Sequence, residues 1–115
     1  MKIQAPCGEI RVYVVKATIA DTDQEECWAV YHDDKNEILV LATQPDAMKM
    51  SLLHELMHVC FTGHSDDIRK KVLGAVGEEA QGKREEGIVS FLEPFLYDLL
   101  ARNGLLKIPR PPKMD

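Results

Sequence analysis

The stretch PDAMKMSLLHELMHVCFTG, Pro45 to Gly63, decides how the rest of the chain reads. Pro45 and Asp46 stand where a helix begins: proline lacks an amide that the first turn leaves unpaired anyway, and the carboxylate meets the positive end of the helix dipole. No breaker follows before Gly63, so one helix is expected as far as about Phe61. Leu52, Leu53, Leu56, Met57, Val59 and Phe61 make it apolar nearly all round, which marks a helix inside the protein and not one on its surface. Within it stand His54, Glu55 and His58.

Upstream, Gly8 to Lys16 alternates Ile10, Val12 and Val14 with Arg11, Tyr13 and Val15 and reads as a strand. Asp21 to Glu26 is polar and reads as a loop. Cys27 to His32 reads as a second strand, Asp33-Asp34-Lys35-Asn36 as a turn, and Glu37 to Ala42 as a third, more continuously apolar strand. Two strands joined by four turn residues form a hairpin. The expectation is a small three-stranded, largely antiparallel sheet, with the strand Glu37 to Ala42 as an exposed edge to which an extended substrate adds by main-chain pairing.

Downstream the chain is helical, so the fold class is α+β. Ser65-Asp66-Asp67 supplies a hydroxyl cap and first-turn acids for a helix carrying Ile68, Val72, Leu73 and Val76, which dissolves around Gly77 to Gly82. A last helix is expected from about Arg84 to Asn103, stopping at Gly104 and kinked at Pro94. The tail from Ile108 is proline-rich and reads as extended. No repeat or linker divides the 115 residues, a length that suits one domain spanning 1–115.

The chemistry is concentrated in His54-Glu55-Leu56-Met57-His58. On a helix, His54 and His58 lie about 40° apart on one face, one turn of about 6 Å along the axis. Two imidazoles so placed can take adjacent corners of a tetrahedral zinc ion. Glu55 falls to the side of the pair, where a general base for water belongs and a third ligand does not. With four His and ten Glu in the chain, chance predicts about 0.01 matches to this spacing.

Two residues compete for the third ligand position. His64 gives HELMHVCFTGH the ligand spacing of metzincins, HExxHxxGxxH, but the turning glycine of that pattern falls at Phe61. His64 then starts about 9 Å further along the axis than His58, which suits a capping or rim histidine. Glu85 shares a helix face with Ile88, Val89, Leu92 and Leu96, a face that must pack on the core. A carboxylate carried inward needs a partner, and zinc is one. Glu86 points about 100° away, toward solvent on this reading, and Glu78 and Glu79 are weaker candidates in a glycine-flanked stretch. The plain alternative is that Lys83-Arg84-Glu85-Glu86 is simply a charged helix start.

HELMH followed by Glu85-Glu86-Gly87-Ile88-Val89-Ser90-Phe91-Leu92, with Leu99-Leu100-Ala101-Arg102-Asn103 closing the helix, resembles small phage-type and prokaryotic gluzincins, minimal relatives of the ImmA/IrrE peptidases. The resemblance covers most of the chain as a layout and about ten residues as motif. It implies a zincin-like fold and a zinc peptidase with His54, His58 and Glu85 as ligands and Glu55 as base.

The remaining composition narrows the function classes. Lys+Arg 14 against Asp+Glu 19 gives a net charge of −5, against a protein that lives on nucleic-acid phosphates. No apolar run reaches the roughly 18 residues of a membrane span, and MKIQAPCGEIR has no signal-type apolar stretch. Cys7, Cys27 and Cys60 contain no CxxC pair and read as reduced thiols in a cytoplasmic protein, with Cys60, about 200° from His58, in the core. Trp28, Phe91, Phe95 and Tyr97 read as packing residues, and Tyr31 or Tyr97 as a possible oxyanion donor. The favoured expectation is a zinc metallopeptidase acting on a peptide or protein substrate. The alternative is a non-catalytic, zinc-stabilised module that binds a partner protein. A zinc endoribonuclease with HGxxHxxGxxH spacing fits less well, because Glu55 replaces its glycine and the net charge is negative.

Overall fold

A computed structural model describes residues 1–16, 19–20 and 26–108, with backbone alone at 19–20 and 26–27. The loop expected at Asp21 to Glu26 lies outside these residues as far as position 25, and so does the proline-rich tail after Ile108. The strands are β1 (Lys2–Ala5), β2 (Gly8–Val15), β3 (Ile19–Ala20), β4 (Glu26–Cys27), β5 (Ala29–His32) and β6 (Glu37–Leu41). The helices are α1 (Pro45–Thr62), α2 (Asp66–Leu73) and α3 (Glu78–Arg102). The class is α+β.

The sheet departs from the sequence reading in two ways. It has four strands, in the order β1-β2-β6-β5, and it is mixed, because β2 and β6 run parallel with Val12 opposite Ile38 and Val14 opposite Val40. The extra strand is β1, folded back on β2 through a two-residue turn that ends at Gly8, whose φ of 128° suits glycine and few other residues. The hairpin of β5 and β6 forms as expected across Asp33–Asn36, but β6 docks on β2, so β6 is central and not an edge. Its apolarity explains the choice: Ile38 and Val40 are fully buried under α1, and Leu39 and Leu41 on the other face are half-buried, which suits a strand flanked by neighbours on both edges. The open edges of this sheet among the described residues are β1 and β5.

α1 starts after Gln44 with Pro45 in its first turn and ends at Gly63, close to the expected limits. It has two apolar faces. Met48, Leu52 and Val59 pack on Ile10, Val12, Val14, Ile38 and Val40 of the sheet. Leu53 and Met57 pack on the other side against Val89 of α3 and Leu106. The helix is therefore the middle of three layers, sheet, α1 and α3, as its all-round apolarity requires.

Ser65 caps α2 by accepting from the Ile68 amide at 3.4 Å. Gly74 ends the helix at φ 90°, and the Arg84 guanidinium occupies the space where a Cβ would stand while donating to the Leu73 carbonyl at 2.6 Å. That contact ties the end of α2 to α3. Of the apolar residues expected on α2, Leu73 is buried while Ile68 and Val72 are exposed.

α3 begins at Glu78, six residues earlier than expected, and runs 25 residues without a break through Gly82, Gly87 and Pro94. Val89 is its one fully buried side chain. Phe91 is 81% and Phe95 73% exposed, against the expectation that both pack, because no layer covers the outer face of α3. No helix among the described residues is long and apolar enough to cross a membrane.

Candidate metal centre

His54 and His58 each follow a residue that packs toward α3, Leu53 and Met57, so their rings lie along the same seam. The rings meet edge to face, centroids 4.9 Å apart, with the two Nε2 atoms 3.2 Å from one another. Three carboxylates reach them from α3. Glu93 Oε2 is 3.0 Å from His54 Nδ1, and Glu85 Oε2 is 2.5 Å from His58 Nδ1. Glu86 straddles the pair, Oε1 at 3.3 Å from His54 Nε2 and Oε2 at 3.0 Å from His58 Nε2.

This arrangement has a consequence for protons. A carboxylate at each Nδ1 holds the Nδ1–H tautomer, since the ring must donate there. In neutral rings both Nε2 atoms are then acceptors, facing each other and a third acceptor, Glu86. Acceptors converging on one point call for a cation, either a proton or a metal ion. His54 answers in part by titrating upward: burial opposes its charging, but the Glu93 hydrogen bond and the charges of Glu93, Glu86 and Glu55 outweigh that.

The donor set fits zinc. Ligand atoms about 2.0–2.1 Å from a tetrahedral ion lie about 3.3 Å from one another. The two Nε2 atoms are 3.2 Å apart, and Glu86 meets them with different oxygens, Oε1 at 3.3 Å from His54 and Oε2 at 3.0 Å from His58, so each pair has this spacing but through both oxygens of the carboxylate. Among the described residues, His54, His58 and Glu86 form the group whose donor atoms all fall within 4.8 Å of one another.

The expected residues are therefore distributed as follows. His54 and His58 come together. Glu85, expected at the ion, is on the far nitrogen of His58, and Glu86 is exposed as expected while its two oxygens also face the two Nε2 atoms. Glu93, not singled out by the sequence reading, holds His54. A signal for Glu86 and Glu93 exists: positions 86, 89, 93, 96 and 100 follow alternating steps of three and four, and Val89, Leu96 and Leu100 on this series pack toward α1. Phasing the stripe on Leu92 instead, which is 39% exposed, favoured Glu85. His64 is not in the group. Gly63 leaves α1 still in right-handed conformation, φ −75°, so the chain does not turn back and the exposed His64 ring donates from Nδ1 to the Cys60 carbonyl. Cys60, expected in the core, is exposed, as is Cys7, and both are free thiols.

Glu55 is half-buried beside the histidines. Burial and the negative charge of Glu86 push its carboxyl above the ordinary glutamate range, against the opposing pull of His58 and His54. Trp28, Ala29 and Met50 wall a cleft of about 520 Å³ that His54, Glu55 and Glu93 also line. Tyr31 reaches Asn36 at 3.5 Å and Tyr97 is hydrogen-bonded to Asp46; neither lines this cleft.

No protein-family model matches the chain, and no curated protein and no solved structure matches it either. The functional reading therefore stands on the geometry above and on the motif itself.

Proposed function

We propose that the chain is a zinc-dependent peptidase with His54, His58 and Glu86 as the protein ligands and Glu55 as the general base. The observation that carries this reading is the convergence of two Nε2 atoms and the Glu86 carboxylate, donor atoms within 4.8 Å of one another, with each imidazole oriented from behind by its own carboxylate. Carboxylate–histidine pairs of this kind are the usual outer shell of zinc sites. Zinc bound there supplies a Lewis acid that polarises a carbonyl and makes a water molecule acidic near neutral pH.

The chain's own residues supply the rest. Glu55 takes a proton from water as the oxygen attacks the peptide carbonyl carbon, then delivers it to the nitrogen as the C–N bond breaks, leaving an acid and an amine. Glu85 and Glu93 hold the imidazoles in one tautomer and one orientation. The open edge of β5, whose Ala29 lines the cleft with His54 and Glu55, offers backbone groups to an extended peptide.

The test is zinc content per chain together with cleavage of unfolded casein, with and without a chelator, in the natural protein and in Glu55→Gln. One ion per chain, chelator-sensitive cleavage and an inactive but zinc-loaded variant are expected. A non-catalytic partner-binding module is the second reading, favoured by Phe91 and Phe95 exposed one turn apart on the outer face of α3. Cleavage unchanged in Glu55→Gln removes Glu55 as the base, and cleavage absent from the zinc-loaded natural protein moves the choice to the partner-binding module.

A further inference from the structure

The cleft beside His54 and Glu55 has a composition of its own. Its two large walls are apolar and accessible, Trp28 at 62% and Met50 at 39% exposed, with Ala29 at the start of the open strand β5 between sheet and helix. Its volume of about 520 Å³ falls within the range of sites that enclose small ligands, roughly 300–1,000 Å³. Among the described residues, the charged groups lining it are His54 and two carboxylates, Glu55 and Glu93, with no lysine or arginine.

We propose that this cleft selects peptides carrying a bulky, uncharged apolar side chain beside the bond to be cut, with Trp28 and Met50 as the residues that set this preference. The inference rests on the peptidase reading. A peptide laid along β5 alternates its side chains between faces, so every second one is directed at one side of the strand. An acidic side chain there meets Glu55 and Glu93 and is repelled. A basic one gives up its hydration against the apolar walls of Trp28 and Met50, and any pairing with Glu55 or Glu93 takes the base or the partner of His54 from its task. An aromatic or branched aliphatic chain covers Trp28 and Met50 and leaves both carboxylates to their tasks.

The chain contains one tryptophan, so its fluorescence reports occupancy of the cleft without any chemistry. The experiment titrates zinc-loaded Glu55→Gln with blocked tripeptides, acetyl-Ala-Xaa-Ala-amide, where Xaa is Phe, Leu, Glu or Lys. The Phe and Leu peptides are expected to shift the emission to shorter wavelength and to bind at least tenfold tighter than the Glu and Lys peptides. Met50→Lys, on an exposed side chain, is expected to weaken the Leu peptide at least tenfold while zinc content stays the same. Equal or tighter binding of a charged peptide, or no emission change with any, overturns the proposal. In parallel, the natural protein cleaves casein and the products are sequenced by mass spectrometry. Cleavage with no apolar preference at the flanking positions overturns the proposal while leaving the peptidase reading intact. Apolar-selective binding without any cleavage supports the cleft assignment and removes the peptidase one.

Discussion

Glu85 and Glu86, neighbours on α3, meet opposite nitrogens of the same imidazole. Glu85 approaches Nδ1 of His58 at 2.5 Å, and Glu86 approaches Nε2 at 3.0 Å. Neighbours on a helix diverge by about 100°, so the ring has to stand edge-on between them, one carboxylate on each flank. The same divergence assigns them different work: Glu86 shares its position with a second ring nitrogen, and Glu85 does not.

Removing the two glutamates should therefore have unequal effects. Glu85→Ala is expected to weaken zinc binding by about 10–100-fold, the range for an orienting partner. Glu86→Ala is expected to cost more than that, and His64→Ala nothing measurable. Competition against a chromophoric chelator gives all three affinities. A larger loss for Glu85→Ala than for Glu86→Ala would return the ligand role to Glu85.

Glu55→Gln keeps the size of the side chain and removes its basicity. Activity on casein should fall by at least about 100-fold, a typical share for general-base catalysis, with zinc affinity within a few-fold of the natural protein. Parallel measurements of turnover and metal content separate the two effects.

The metal-free protein should be more stable at mildly acidic pH than at pH 8. His54 titrates above its ordinary value of 6.5 when folded, so its contribution is fully present below that value and is lost as pH rises through the folded pKa. Glu55, raised from 4.5, acts in the same direction over a lower window. Zinc reverses the trend, because the rings bind it only when their Nε2 atoms are deprotonated. Thermal melts from pH 5.5 to 8, with chelator and with zinc, should meet at the acid end and diverge as pH rises. Parallel curves would count against a metal held by the two Nε2 atoms.

Two glycines make a contrasting pair. Gly82 lies inside α3 with open space where a Cβ would go, so Gly82→Ala should stabilise the protein by about 0.5–1 kcal/mol. Gly74 has φ 90° and the Arg84 guanidinium at the Cβ position, so Gly74→Ala should destabilise by more than Gly82→Ala stabilises. Chemical denaturation of the two variants decides both signs.

The local features were legible from sequence and the long-range ones were not. Pro45, Gly63 and the Ser65 cap act within a turn of themselves, and each marks a boundary where the structure has one. The parallel pairing of β2 with β6 joins residues about 26 apart, Val12 with Ile38, and no local pattern encodes it. β1 escaped notice because a four-residue strand with Ile3 and Ala5 as its inward side carries too little alternation to read. The first six residues of α3, before Arg84, escape the sequence reading because the stretch Gly77 to Gly82 reads as a breaker, whereas Gly82 costs a helix about 1 kcal/mol, which a helix of 25 residues absorbs. In the site, His54, Glu55 and His58 are fixed by spacing along one helix. Which carboxylate faces which ring nitrogen depends on the phase of another helix, where a shift of one residue exchanges Glu86 for Glu85.

α3 completely buries one side chain, Val89, in 25 residues, yet it carries every carboxylate that touches the two histidine rings. Under the proposed zinc role, the ion-binding state exists only in the fraction of molecules whose α3 is docked, and the observed affinity is the intrinsic affinity scaled by that fraction. Zinc concentration then sets the population of docked chains as much as it sets occupancy. Substitutions far from the rings that loosen or tighten the α1–α3 seam will change metal affinity without altering a single ligand.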